Sequence, residues 1–164
     1  MSCREKSSVF SVVVLLGIAC ASSLLAANGT FRVVEVWSGN SPCVRQVPHG
    51  YQFTLQITFN HKPDIASLSA PGTVRIHIKG TEDGRTALNV AGRFVECPGS
   101  PNVVLWISND TIRNLINPRA GETLEYTVIL SGTSAVRDFE GSVLDGNGDG
   151  KAGGDFKKVW EVPG

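Results

Sequence analysis

The sequence predicts an all-β protein, folded as an antiparallel β-sandwich. In several short segments, apolar and polar residues alternate strictly, as on a strand with one buried face. Clusters of Gly, Pro, Asn and Asp separate these segments, as turns do. Such alternation favours antiparallel sheets that bury one face and expose the other.

The clearest strand is predicted over residues 51–60. Every second residue there is apolar: Tyr51, Phe53, Leu55, Ile57 and Phe59. A period of two places these side chains on one face, so we expect them in the core. The same pattern predicts strands at 73–79, with Thr73 and His77 facing outwards, and at 124–130.

Weaker patterns predict four more strands, at 31–37, 87–95, 103–107 and 156–162. Two short helices are expected at Asp64–Leu68 and Asp110–Ile116. Asn109 is a favourable N-cap residue for the second helix, and Pro118 follows its end.

The N-terminus has the pattern of a secretory signal peptide. Arg4 and Lys6 precede an apolar run over 9–21, and small residues lead to Ala27. The run is shorter than the roughly 20 residues that span a bilayer, although an anchoring or core helix is the alternative. We therefore predict a signal peptide over 1–27 and one domain over 28–164, without a membrane span in the mature chain.

This leader predicts a secreted, periplasmic or cell-surface protein. A lipid-modified Cys20 is a minor alternative, because Gly17 stands where such sites usually have Leu. Export would place Cys43 and Cys97 in an oxidising compartment, where paired thiols tend to form disulfides. We predict a Cys43–Cys97 disulfide, with two buried free thiols as the alternative.

Charge and motifs argue against several functional classes. The net charge is zero and no basic stripe is present, so nucleic acid is not an expected partner. Neither GxSxG nor HExxH occurs. His49 and His61 are expected in loops, and His77 on a solvated strand face. We therefore expect a non-catalytic protein.

An acidic, glycine-rich segment near the C-terminus reads LDGNGDGKAGGDF, over residues 144–156. Its D-x-N-x-D-G start matches the first half of an EF-hand-type loop, in which alternate oxygen ligands converge on calcium. The predicted ligands are Asp145, Asn147, Asp149, the backbone carbonyl of Lys151, and Asp155.

The segment also departs from an EF-hand loop. Phe156 occupies the twelfth position, where a bidentate Glu is expected, and the flanking segments resemble strands. Asp-Gly and Asn-Gly pairs also form ordinary turns, so a flexible polar loop is the alternative.

Three further segments resemble bacterial Ig-like domains of the kind found in the SbsA surface-layer protein. They are Leu55–Asn60 with Pro63-Asp64, Gly121–Val128, and Val136–Gly146. The resemblance implies an Ig-like sandwich that serves as a non-catalytic spacer or adhesion module. Its partner would be an unidentified protein or polysaccharide surface. Such domains usually belong to long multidomain chains, and the cysteine pair is not part of the pattern.

A carbohydrate-binding β-sandwich module is the rival hypothesis, since Trp37, Trp106 and Trp160 are available to stack on sugars. Trp106 is expected in the core because it lies within VVLWI. Two exposed, coplanar tryptophans would favour sugar binding, whereas three buried ones would favour the spacer or adhesion role.

Overall fold

A computed structural model describes residues 29–39, 41–48, 50–133 and 135–163. The predicted signal peptide and His49 lie outside the described residues. The elements within them are β1 (Val33–Ser38), α1 (Pro42–Gln46), β2 (Gln52–Phe59), α2 (Ile65–Leu68), β3 (Val74–Gly80), β4 (Thr86–Ala87), β5 (Gly92–Cys97), β6 (Ser100–Thr111), α3 (Ile112–Leu115), β7 (Thr123–Leu130) and β8 (Phe156–Pro163).

The strands form two four-stranded antiparallel sheets. One sheet has the order β1-β2-β6-β5 and the other β4-β3-β7-β8. Apolar residues from both sheets form the core between them, as the alternating pattern requires. The predicted antiparallel β-sandwich is therefore confirmed.

Strand β2 buries the predicted core residues Leu55, Ile57 and Phe59, although Thr54, expected on the solvent face, is buried as well. Two assignments near strand ends were wrong. Tyr51 precedes β2 and is 94% exposed. Thr73 is buried instead of solvated, since its hydroxyl donates to the carbonyls of Leu68 and Ala70 in the turn before β3.

The first sheet also has a small second core on its outer face. In β6, Leu105 and Ile107 point away from the main core and pack with Val44 of α1 and with the Cys43–Cys97 pair. The disulfide joins Cα atoms 5.5 Å apart, within the normal range, and confirms that prediction. Helix α1 covers part of this outer face, so the continuous apolar run of β6 is buried on both sides.

Other boundaries also differ from the sequence prediction. The segment 87–95 contains the end of β4 and the start of β5, with a connection between them. Strand β6 continues to Thr111, whose side chain caps α3 in place of Asn109. Helix α1 was not predicted, although Ser41 caps it and Pro42 starts it. In the described ranges, no helix is long and apolar enough to cross a membrane.

Side chains bridge the two sheets where β1 and β8 form neighbouring edges. Lys158 of β8 donates to the Val36 carbonyl at 2.8 Å, and the Trp160 indole donates to the Ser38 hydroxyl at 3.0 Å. Lys158 pairs with Val128 and shares its inward-facing side of the sheet. An inward-pointing charge on an edge strand opposes edge-to-edge pairing with other chains.

Candidate functional site

The acidic loop lies between β7 and β8, and its base is fixed to the core. Val136 and Leu144 are fully buried there. The Asp145 amide donates to the Phe31 carbonyl at 2.7 Å, and the Gly146 amide donates to the Gly153 carbonyl at 3.0 Å. The loop is thus anchored at both ends by backbone hydrogen bonds.

The carboxylate of Asp145 organises this loop. It is 3% exposed and accepts four hydrogen bonds. Oδ1 accepts from the amides of Gly148 at 2.8 Å and Asp149 at 3.1 Å, while Oδ2 accepts from the Gly150 amide at 3.0 Å and the Thr30 hydroxyl at 2.9 Å. The backbone therefore curls around one buried negative charge.

The electrostatics of Asp145 follow from these contacts. Burial alone would raise its pKa, but the Thr30 hydroxyl and the three loop amides favour the charged form, so the pKa is lowered from its ordinary value. Among the described residues, no Lys, Arg or His side chain forms an ion pair with Asp145. Neutral dipoles alone stabilise this charge.

Asn147 and Asp149 lie on the same curl. The Asn147 side-chain amide donates to Asp149 Oδ2 at 3.1 Å, and Asp149 Oδ1 accepts from the Lys151 amide at 2.9 Å. Gly154, at φ +70°, packs so closely against Asn147 that a Cβ atom there would overlap it. Four of the five predicted ligand residues, all except Asp155, are therefore held together by local hydrogen bonds.

Asp155 is placed differently from the other acidic residues of the loop. Its carboxylate forms an ion pair with Arg75 at 3.2 Å and accepts from the Gly132 amide at 3.3 Å. Within the described ranges, no group of three or more His, Cys, Asp or Glu side chains is arranged to hold a metal ion. The five-residue calcium set stays a prediction.

Two residues of the site were not predicted. Thr30 lies 115 positions before Asp145 along the chain, and no local pattern marks it as a partner. Gly132 packs directly on the backbone of Gly153 and Gly154, where any Cβ atom would overlap the Gly154 carbonyl. The sequence signals this close contact between two backbone segments only by an isolated glycine after an apolar strand.

A second buried carboxylate, Glu122, is fully buried near the start of β7. Its Oε2 accepts from Arg85 Nη2 at 2.6 Å and from the Arg119 amide at 2.9 Å. The Arg119 amide lowers its pKa most, and Arg85 lowers it further, against the opposing effect of burial. This cluster was also not predicted.

Asp138 is a third buried carboxylate, and it has both backbone amide donors and a nearby histidine. It accepts from the amides of Glu140 and Ser142, and it lies 3.2 Å from Nδ1 of His61. His61 lies in the loop after β2, as expected, and its ring stacks on Phe31. His77, expected to be solvated, is half-buried and accepts a hydrogen bond from the Asn89 amide at 3.0 Å.

The three tryptophans occupy different environments. Trp106 lies in the main core, as expected, and Trp160 is half-buried between Tyr126 and the β1 edge. Trp37 is 50% exposed. These residues do not form the exposed, coplanar pair that would favour a sugar-binding face.

Comparison with known proteins gives no further identification of this site. No protein-family model matches the chain, and no curated protein is significantly similar to it.

Proposed function

We propose that this chain is an exported, non-catalytic Ig-like structural or adhesion module whose acidic loop is stabilised by calcium. The observation that carries the proposal is the carboxylate of Asp145, which is buried in a curled loop and, among the described residues, is held by neutral donors. A buried negative charge without a cationic partner favours a bound cation.

Calcium fits the chemistry of the loop because it prefers six to eight oxygen ligands in flexible geometries. Asp145, Asn147 and Asp149 would provide the first of these oxygens. The Lys151 carbonyl and Asp155 would complete the set, and Asp155 would then exchange its contact with Arg75 for the ion. The role of calcium would be to order the loop and fix β8 against the sheet.

The structural or adhesion role is supported by the construction of the sandwich and by the resemblance to surface-layer Ig-like domains. A disulfide joins α1 to β5, and side chains of β8 bridge to β1. The exposed tryptophan pair that would favour the carbohydrate-binding alternative is not formed. The expected partner is a protein or polysaccharide surface outside the cytoplasm.

Thermal unfolding with calcium and with a chelator tests the proposal. A ligand that binds only the folded state stabilises it by mass action, so millimolar calcium should raise the midpoint by about 5 °C. Magnesium is the control, because it dehydrates reluctantly and should raise the midpoint less. Equal midpoints in calcium and chelator would contradict calcium binding.

A further inference from the structure

Helix α1 covers part of the outer face of the β1-β2-β6-β5 sheet. Its Val44 side chain packs on Leu105 and Ile107 of β6. Cys43 of the same helix forms the disulfide with Cys97, the last residue of β5. The helix is thus attached to the sheet by a small apolar contact and by one covalent bond.

Polar contacts do not hold α1 on the sheet. Among the described residues, no hydrogen bond or ion pair joins the segment 41–48 to a strand of either sheet. The hydrogen bonds of α1 are internal, since the Val44 amide donates to the Ser41 hydroxyl and the Val47 amide donates to the Cys43 carbonyl. Isolated helices shorter than about 12 residues are at best marginally stable in water, and α1 has five. Without the disulfide, little keeps this helix folded and docked.

A small surface cavity of about 140 Å³ lies beside the disulfide. Cys43 and Cys97 both line it, together with polar residues that include Gln46 and Gln56. The two cysteines are otherwise well buried, at 2% and 7% exposed. The cavity therefore gives a thiolate a route to the disulfide of the folded protein, and access of this kind limits the rate of thiol–disulfide exchange.

We propose that the Cys43–Cys97 disulfide is a redox-sensitive clasp, whose reduction by a dithiol releases α1 while the sandwich stays folded. A thiolate of the dithiol attacks one cysteine sulfur, the S–S bond breaks, and the other cysteine leaves as a thiolate. The second thiol of the reductant then displaces the protein from the mixed disulfide. The protein gains two thiols, and the dithiol is oxidised to a cyclic disulfide.

Release of α1 uncovers an apolar strip on the outer face of β5 and β6. Leu105 and Ile107 are fully buried in the oxidised protein, and Val95 and Val103 pack beside them. The main core between the sheets is built from residues outside α1, so it does not depend on the helix. Reduction thus exposes an apolar surface suited to association with another molecule. The clasp uses no residue of the acidic loop and is independent of calcium binding.

Amide chemical shifts measured before and after addition of dithiothreitol test the proposal. The amides of Val44 and Val47 should move to the shifts of an unfolded segment, whereas those of Tyr126 and Val128 in β7 should keep their positions. A dye that binds exposed apolar surface should bind only the reduced protein. Unchanged α1 shifts would overturn the proposal, because packing alone would then hold the helix. Collapse of the β7 shifts would overturn it as well, because reduction would then unfold the sandwich.

The rate of reduction separates a clasp from an inaccessible disulfide. Attack through the cavity should be proportional to the dithiothreitol concentration. Reduction that has to wait for global unfolding would instead reach a plateau at the unfolding rate. Such a plateau would contradict the proposal.

Two variants identify what holds α1. The double variant Cys43→Ser with Cys97→Ser should show the α1 shifts of the reduced protein without any dithiol, and failure of this variant to fold would count against the proposal. Val44→Ser is the matched variant, because it weakens the apolar contact and keeps the disulfide. Its helix should stay docked under oxidising conditions. Release of α1 in oxidised Val44→Ser would show that packing, and not the disulfide, holds the helix.

Discussion

Asp145 and Glu122 are both buried carboxylates, but their charges are stabilised in different ways. Glu122 is fully buried and pairs with the guanidinium of Arg85. Asp145 is 3% exposed and accepts from three backbone amides and the Thr30 hydroxyl. The Glu122 cluster combines an opposite charge with the Arg119 amide, whereas the Asp145 loop stabilises its charge with neutral dipoles.

The difference indicates which carboxylate is suited to a cation. Arg85 already pairs with Glu122, so a metal there would have to compete with a bound guanidinium. Neutral donors leave the negative charge of Asp145 in place, beside the oxygens of Asn147 and Asp149. We therefore interpret the Glu122 cluster as structural and the Asp145 loop as the candidate cation site.

Removing the cationic partner should give the largest effect. Arg85→Ala leaves Glu122 buried without its counter-charge and leaves the carbonyls of Ile116 and Asn117 without their donor. We expect the unfolding midpoint to fall by about 10 °C or more.

Arg75→Ala is the matched control, because Arg75 and Asp155 form an exposed pair. Its midpoint should change by less than about 2 °C. Similar shifts for the two arginine variants would contradict a special role for the buried pair at Glu122.

Acid should destabilise both clusters. The pKa values of Glu122 and Asp145 are lowered in the folded protein, so their contribution to stability is present above the unfolded values of 4.5 and 3.8 and is lost as the pH falls through the folded values. Unfolding midpoints should therefore decline below about pH 4.5. Glu122→Gln and Asp145→Asn should each flatten this decline, and an unchanged pH profile would contradict the assignment.

A smaller effect is expected from Thr30→Val, which removes one of the four donors to Asp145 at nearly constant volume. The loss of one hydrogen bond should destabilise the fold by about 1 kcal/mol, or roughly 3 °C in the midpoint. The calcium-dependent shift should be retained, because the three loop amides still position the carboxylate. If the calcium-dependent shift of the midpoint is lost in Thr30→Val, Thr30 belongs to the calcium site itself.

Local periodicity predicts the strands well but not what covers them. The alternation in β2 and β7 specifies their buried faces, because each has a single core to face. The continuous apolar run of β6 instead reflects burial on both faces, and the covering helix α1 is too short to have a strong pattern.

The acidic loop was predicted from its spacing, which is a local property. Its contacts with Thr30 and Gly132, and the pairing of Asp155 with Arg75, join residues that are distant in sequence. The Arg85–Glu122 pair is likewise separated by 37 positions. Contacts of this kind depend on how the sheets are assembled, so no single segment of the sequence specifies them.

Calcium titration calorimetry of three proteins tests the central claim most directly. The wild type and Glu122→Gln should each bind about one calcium ion per chain, because the Glu122 cluster is not part of the site. Asp145→Asn should show no binding, because it loses the buried charge at the centre of the loop. Wild-type binding that persists in Asp145→Asn, or a wild type without measurable binding, would contradict the assignment of this loop as a calcium site.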